Sequence, residues 1–231
     1  DMERATAAAN FGSFMHQGQI CMSVEKILVQ ESVYDEFLSR FAARAAKLKV
    51  GDPSADNGHV IGPLINDKQA GKVREQIEDA VAKGAKIVIG GGVEGRFVEP
   101  TILTGVTPDM KVYAEETFGP VVPLIPYRTD SEAIAIANDS EYGLSSGVIT
   151  RDESRGLAIA AALETGMCHI NCSSVNDEPH VPFATGAVLQ QFDPSVVLAR
   201  EWGEVAWEGG QEAVAWHFRR VKLNSLCGKV F

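Results

Sequence analysis

The sequence predicts an α/β fold, with an open, mostly parallel twisted sheet and helices on both of its faces. Short apolar segments with the pattern of strands alternate with longer segments that have the pattern of helices. The predicted strands are largely apolar throughout, as in 121–127 (VVPLIPY), which is typical of strands that are buried on both faces. With 231 residues and 45% hydrophobic side chains, the chain can form one sizeable core with an appendage.

The first half of the chain begins with an alanine-rich segment that predicts a helix running into a loop with a cysteine. The next segment alternates as a strand does, and Val33, Phe37 and Phe41 then begin a helical stripe that the GDP of 51–53 ends. The predicted elements are a helix over 2–13, a strand over 24–30, a helix over 32–50, a long helix over 68–85 that Gly84 ends, and a short buried strand over 86–91.

The second half continues the alternation up to residue 172. The predicted elements are an extended segment over 96–106, a strand over 121–127, a helix over 130–139 capped by Asp130 or Ser131, a strand over 145–151, a helix over 152–164 with Asp152 near its start, and a strand over 166–172. The character changes after about residue 184, where all three tryptophans occur within fifteen positions. We therefore expect one domain over 1–183 and a divergent appendage over 184–231.

Composition excludes several classes of function. The net charge of −10 argues against nucleic acid or an anionic membrane as a partner, because both need a cationic face. The sequence has neither an apolar run of about 20 residues nor a basic leader, so a cytoplasmic protein is expected. The four cysteines are expected to be free thiols. No metal site is predicted, because Cys168 and Cys172 would point away from His169 on a strand and no second ligand pair follows.

The segment FMHQGQICMS, residues 14–23, predicts a reactive thiol at Cys21. Polar residues and a glycine lead up to the cysteine, which a cysteine needed only for packing does not require. Gly18 allows the backbone to approach a ligand closely. A thiol on a loop after a helix, flanked by amides, is accessible and can act as a nucleophile. The alternative is that Cys21 is a packing residue.

Several segments together resemble the aldehyde dehydrogenase superfamily over about residues 1–183. FMHQGQICMS is similar to the active-site cysteine motif of that family, and EETFGPVVPL (115–124) is similar to its second signature. Three further segments match in the expected order: GRFVEPTIL, ANDSEYGLSSGVIT and GMCHINCSSVNDEPHVPF. The resemblance implies the fold of the family's catalytic domain. With histidine at position 16, the cysteine motif resembles that of family members that act on aromatic aldehydes.

The resemblance implies roles for particular residues. Cys21 would be the nucleophile that forms a thiohemiacetal and then a thioester, with its own backbone N–H as half of an oxyanion hole. Glu116 and Phe118 match positions that hold the nicotinamide ribose and ring, although a cofactor role here is expected to be vestigial. His16 and His180 are candidate bases, and Glu115 and Glu116 are further candidates. Glu116 has an alternative interpretation, in which Gly119 and Pro120 shape a turn that the glutamate merely occupies.

The sequence also departs from the family. It has no G-x-G-x-x-G turn for a pyrophosphate, and the family's NAD domain, oxyanion asparagine, cofactor lysine and general-base glutamate would precede this segment. The segment after PF also differs, which puts the family's oligomer in doubt, although we still expect a homo-oligomer.

The main hypothesis from these departures is a cysteine-dependent esterase for small acyl esters that needs no cofactor, because acyl transfer requires only a thiolate, an oxyanion donor and a base. The first alternative is oxidation of aldehydes to carboxylic acids with NAD or NADP, with the NAD domain supplied elsewhere or lost. The second is a non-catalytic remnant or assembly module. The expected small-molecule partner is accordingly an ester or an aldehyde.

Overall fold

The computed structural model describes residues 1–55, 58 and 60–176, together with the backbone of a strand over 228–230. The helices are α1 (Met2–Phe14), α2 (Tyr34–Ala45), α3 (Asp67–Ala82), α4 (Lys111–Ala114), α5 (Asp130–Asn138) and α6 (Glu153–Ala162). The strands are β1 (Val24–Gln30), β2 (Lys86–Ile89), β3 (Val93–Glu94), β4 (Phe97–Val98), β5 (Thr101–Thr104), β6 (Val121–Tyr127), β7 (Ser145–Val148), β8 (Met167–Ile170) and β9 (Gly228–Val230).

The main sheet has seven strands in the order β2–β5–β6–β1–β9–β7–β8. All of its neighbours pair in parallel except β2, which runs antiparallel to β5 at one edge. β3 and β4 form a separate two-stranded antiparallel ribbon. The predicted mostly parallel α/β sheet is confirmed, and residues 166–172 supply one of its strands as expected.

Helices cover both faces of this sheet, and the side chains of β1 show how. Ile27 and Val29 belong to a core cluster with residues of α1 and α2, whereas Leu28 belongs to a second cluster with residues of α3, α5 and α6. Successive side chains of a strand point to opposite faces, so one apolar strand contributes to two cores. This explains why three apolar residues follow one another at Ile27, Leu28 and Val29 of β1, and why β6 is buried at nearly every position.

Two local expectations were wrong. Residues 86–89 form an edge strand whose side chains are mostly exposed, so this strand is not buried. An apolar sequence alone does not distinguish an edge strand from a central one. Helix α5 is capped by Thr129, whose hydroxyl accepts from the Glu132 amide at 3.2 Å, and not by Asp130 or Ser131. Cap position depends on where the chain turns into the helix, which is difficult to predict to within a residue.

Several expectations keep the status of predictions. The boundary between 1–183 and 184–231, the homo-oligomer and the cytoplasmic location are not tested by the fold. The three tryptophans lie outside the described residues. In the part of the chain that is described, no helix is long and apolar enough to cross a membrane.

Candidate active site

Two loops meet at one end of the sheet, because each leads into one of two neighbouring parallel strands. We call residues 15–23, which precede β1, the cysteine loop, and residues 115–120, which precede β6, the glutamate loop. β1 and β6 pair in parallel, with Ile27 opposite Leu124. Loops that lead into adjacent parallel strands lie at the same end of a sheet, where the strands begin. The fold therefore brings Cys21 and Glu116 into one region although 95 positions separate them in the sequence.

The cysteine loop has an unusual backbone. After α1 the chain passes through three successive residues with positive φ, at His16 (50°), Gln17 (58°) and Gly18 (69°). Two of these are not glycine, and such residues seldom adopt left-handed conformations outside functional or strongly constrained positions. The chain then makes a tight turn around Cys21, in which the Ser23 amide donates to the Ile20 carbonyl at 2.8 Å. The Ser23 hydroxyl closes the same turn by accepting from the Ile20 amide at 3.2 Å.

The cysteine loop and the glutamate loop are in direct backbone contact at their glycines. A Cβ atom placed on Gly18 would lie 2.2 Å from the Gly119 carbonyl oxygen and 2.6 Å from its carbon. No residue with a side chain fits there without moving the backbone of one of the loops. Glycine at position 18 therefore serves both the positive φ and the close approach.

One face of α3 holds the glutamate loop from the side. Gln69, Lys72 and Gln76 follow one another at spacings of three and four residues, which places them on the same helix face. The Gln69 side chain donates to the carbonyls of Thr117 at 2.8 Å and Phe118 at 3.0 Å. Lys72 and Gln76 both donate to the Glu116 carbonyl, at 2.5 Å and 3.4 Å.

The strand β1 holds the glutamate loop from the other side through Glu25. The Glu25 carboxylate accepts from the Thr117 amide at 2.9 Å with one oxygen and from the Phe118 amide at 3.0 Å with the other. Phe118 itself has a positive φ of 52°. The Glu116 amide donates to the Tyr142 hydroxyl at 2.8 Å. The loop backbone is thus held by polar side chains from three parts of the chain.

The Glu116 carboxyl is half-buried at this position. Burial raises its pKa above the usual range, because desolvation penalises the ionised form, and the nearby Lys72 ammonium partly opposes the shift. A half-buried carboxyl with a raised pKa, on a loop that contacts the loop of a candidate nucleophile, has the character of a functional group.

The structure brings together three of the residues that the sequence singled out. Cys21, Glu116 and Phe118 lie on the two loops in contact, and Cys21 is partly buried. His16 lies at the start of the cysteine loop and is exposed. His180 lies outside the described residues. Among the described residues, no group of three or more metal-ligating side chains is found.

Sequence reasoning did not identify Glu25, Gln69 or Lys72. Glu25 could have been noticed as a carboxylate at the start of a strand, four positions after Cys21. Gln69 and Lys72 gave no such signal, because polar residues on a helix are usually a solvated face. Their contacts depend on tertiary packing between α3 and a loop more than 40 positions away.

The family follows from the comparison with known proteins. The sequence profile of the aldehyde dehydrogenase family matches residues 1–186. The chain belongs to the aldehyde dehydrogenase family. The vanillin dehydrogenase of Pseudomonas fluorescens is 45% identical over 183 residues, which cover 79% of this chain and 38% of that protein. The salicylaldehyde dehydrogenase of Pseudomonas putida is 42% identical over 211 residues, which cover 90% of this chain and 43% of that protein.

Solved structures of aldehyde dehydrogenases have the same fold. The salicylaldehyde dehydrogenase of Pseudomonas putida G7, complexed with salicylaldehyde, has a TM-score of 0.78 and 45% identity over 80% of this chain and 38% of that one. A glyceraldehyde-3-phosphate dehydrogenase of Methanocaldococcus jannaschii, complexed with NADP, has a TM-score of 0.75 and 39% identity over 80% of this chain and 40% of that one. The chain therefore spans about 40% of the length of these relatives.

These comparisons correct two expectations. The expected esterase is wrong, because the relatives are named vanillin, salicylaldehyde and benzaldehyde dehydrogenases, and the alternative of aldehyde oxidation fits better. For the cofactor, the alternative of NAD or NADP is better supported than the expectation of none, since one relative is named an NAD+ benzaldehyde dehydrogenase and one solved structure is complexed with NADP. The main hypothesis gave weight to the lack of a pyrophosphate motif, whereas the chain matches only part of each relative.

Proposed function

We propose that this chain is the catalytic part of an aldehyde dehydrogenase that oxidises aromatic aldehydes to carboxylic acids with NAD or NADP. The observation that carries the proposal is the backbone contact between the cysteine loop and the glutamate loop at Gly18 and Gly119. It puts a thiol and a half-buried carboxyl in one region, in a chain that belongs to the aldehyde dehydrogenase family.

Cys21 acts as the nucleophile in this proposal. Its thiolate adds to the aldehyde carbon, a C–S bond forms, and the carbonyl oxygen becomes an alkoxide that the Cys21 amide stabilises. Loss of a hydride from that carbon leaves a thioester on Cys21. Water then adds to the thioester, the C–S bond breaks, and the carboxylic acid leaves while the thiolate is restored. The net change is a two-electron oxidation of the aldehyde with one oxygen taken from water.

The described residues fit the nicotinamide end of a dinucleotide. The Glu116 carboxyl and the Phe118 ring belong to the glutamate loop, which contacts the cysteine loop at Gly18 and Gly119. Glu116 and Phe118 would hold the nicotinamide ribose and ring, as the family resemblance implies. The cofactor supplies the hydride acceptor when it is bound. Glu116 keeps its acceptor oxygens for a ribose hydroxyl when it is ionised.

The aromatic substrate class is proposed from the relatives. Proteins named vanillin, salicylaldehyde and benzaldehyde dehydrogenases are 42–48% identical to this chain. The His16 variant of the cysteine motif favours the same class.

An aldehyde panel tests the proposal. We expect the active protein to oxidise benzaldehyde, vanillin or salicylaldehyde with NAD+ or NADP+, measured as reduced cofactor formed and acid product released in a ratio of one to one. An aliphatic aldehyde of similar size serves as the control substrate and should give a lower kcat/KM. Release of acid without cofactor reduction, or turnover of the aliphatic aldehyde alone, would contradict the proposal.

A further inference from the structure

We infer that Glu25 is a positioning residue, whose carboxylate clamps the glutamate loop in the conformation that the active site needs. The inference rests on the proposed dehydrogenase function for its catalytic consequence. Glu25 itself is not expected to touch the reacting atoms. It acts through the backbone of Thr117 and Phe118, and through them on Glu116.

The contact geometry is that of an anion held by two successive amides. The two oxygens of Glu25 accept from two neighbouring backbone N–H groups at 2.9 and 3.0 Å. Successive amides converge in this way where one of the residues is in a left-handed conformation, and the concavity they form binds anions. Phe118 is in that conformation, with φ of 52°. An ionised carboxylate makes stronger hydrogen bonds to amides than a neutral oxygen does.

The glutamate loop requires such a clamp because its backbone is strained. A bulky residue with positive φ persists only where its surroundings over-determine it. On the side of α3, the loop's carbonyls are fixed by donors from Gln69, Lys72 and Gln76. Glu25 fixes the amides, which face the other way. Donors from α3 therefore hold the carbonyls, and the Glu25 carboxylate holds the amides. Removal of Glu25 leaves the amides of Thr117 and Phe118 without this acceptor.

The clamp also sets the spacing between the two loops. Glu25 lies four positions after Cys21 and at the start of β1, where the backbone is held by the sheet. The glutamate loop that it holds lies against Gly18, three positions before Cys21. A shift of Thr117 and Phe118 would therefore move Glu116 and Phe118 relative to the thiol. Small displacements of this kind are costly for a reaction that depends on orientation.

The test substitutes Glu25→Gln and compares it with Glu78→Gln. The glutamine keeps the size of the side chain, but it has one acceptor oxygen, and its NH2 group would face a backbone N–H. Glu78 is exposed on α3 and undergoes the same change of charge. Glu25→Asp is the rescue variant, because it keeps both acceptor oxygens and the charge. Each protein is measured for KM of the nicotinamide cofactor, KM of benzaldehyde, melting temperature, and hydrogen exchange at the amides of Thr117 and Phe118.

We expect Glu25→Gln to raise the cofactor KM by about fivefold or more, while the benzaldehyde KM changes by less than about twofold. Exchange should become faster at Thr117 and Phe118 and stay unchanged in the helices. Glu25→Asp should recover part of the cofactor KM, and Glu78→Gln should match the wild type. An unchanged cofactor KM with unchanged exchange would overturn the inference. So would a loss in every parameter that follows the melting temperature, since that indicates a merely structural role.

Failure of the inference can be distinguished from failure of the proposed function. If the wild-type protein oxidises no aromatic aldehyde, the dehydrogenase proposal fails, and hydrogen exchange then decides on the clamp. Faster exchange confined to Thr117 and Phe118 in Glu25→Gln would support it. Exchange identical to that of Glu78→Gln would remove it.

Discussion

Cys21 and Cys168 are both cysteines, but they lie in contrasting parts of the fold. Cys21 lies in the tight turn of the cysteine loop, after three residues with positive φ, and Gly18 of the same loop contacts the backbone of the glutamate loop. Cys168 lies within the regular strand β8, opposite Ser146 of β7. Burial raises the pKa of the Cys168 thiol to about 11, although a hydrogen bond with Ser146 opposes part of the shift. Cys168 is thus a side chain of a regular strand, whereas the backbone around Cys21 is irregular.

The contrast teaches that the loop, and not the residue type, indicates function. Regular elements satisfy their backbone groups within the sheet and leave side chains to pack. The two loops instead satisfy their backbones through side chains such as Glu25 and Gln69, and they contain non-glycine residues with positive φ. Conformational cost of this kind is characteristic of sites where groups must be held in a fixed arrangement.

The largest expected effect that tests this contrast is the loss of activity on removal of Cys21. Cys21→Ala should lower kcat for aldehyde oxidation by about a thousandfold or more, because the covalent thioester route then has no nucleophile. Cys168→Ala and Cys172→Ala should keep most of the activity. Cys21→Ser should remain poor, because a hydroxyl ionises at much higher pH than a thiol. Reduced cofactor formed per second under saturating substrate is the measurement. Full activity in Cys21→Ala would refute the assignment.

The second prediction concerns thiol reactivity and pH. A thiol pKa of about 11 favours the neutral thiol in the folded protein, so at pH 8 only about one Cys168 in a thousand is thiolate. Iodoacetamide at pH 8 should therefore label Cys21 and leave Cys168 unlabelled. The labelling rate of Cys168 should rise about tenfold per pH unit until pH approaches 11. Peptide mass spectrometry of the Cys172→Ala protein follows both sites, and aldehyde substrate should protect Cys21. Equal labelling of the two thiols at pH 8 would contradict the prediction.

The third prediction tests the contact between the two loops. Gly18→Ala should lower the free energy of unfolding by about 3 kcal/mol, because a positive φ costs about 1–2 kcal/mol and the overlap with Gly119 adds to it. Gly105→Ala is the matched control. Gly105 has the same φ of 69°, and a Cβ there would meet only an ordinary contact, at 3.9 Å from the Gly84 carbonyl oxygen.

The Gly105→Ala control separates the cost of a positive φ from the cost of the overlap between Gly18 and Gly119. Gly105→Ala should cost about 1–2 kcal/mol and leave activity unchanged, whereas Gly18→Ala should lower activity as well. Chemical denaturation and the aldehyde assay give the two quantities. Equal losses of stability in the two variants would show that the loops can separate at no cost.

The sequence predicted the regular part of this molecule better than the irregular part, for a physical reason. The periodicity of residues 24–30 and of the helical stripe at Phe37 and Phe41 depends on burial that each element achieves along its whole length. The edge position of 86–89 depends on which strand lies beside it, which local pattern does not contain. The sequence predicted a mostly parallel sheet but not that β1 and β6 are neighbours in it, and this pairing brings the two loops to the same end of the sheet.

The site was predicted in part, for a different reason. Cys21 was singled out by the polar residues and the glycine that precede it, and Glu116 and Phe118 became candidates only through motifs that resemble a family. Glu25 and Gln69 were missed because a polar residue on a strand or helix is usually solvated, and only the folded chain shows which backbone groups they contact. The function was mistaken because a chemical requirement, the binding of pyrophosphate, was looked for within a segment that spans only part of its relatives.

The smallest expected effect concerns the region of Cys168 and completes the contrast. Asp152 caps α6, which packs beside β8, and its side chain accepts from the Arg155 amide at 3.0 Å. Asp152→Ala should lower the free energy of unfolding by about 1 kcal/mol, the usual cost of losing such a cap. Asp152→Asn should cost only a few tenths of a kcal/mol, because asparagine caps equally well. Thermal and chemical denaturation measure both.

Aldehyde oxidation should be unaffected in each variant, since the cap fixes a regular element far from the glutamate loop in the sheet order. A fall in kcat with Asp152→Ala that Asp152→Asn restores would show instead that the ordinary region supports the active site, and the contrast between the two thiols would then be weaker than the structure indicates.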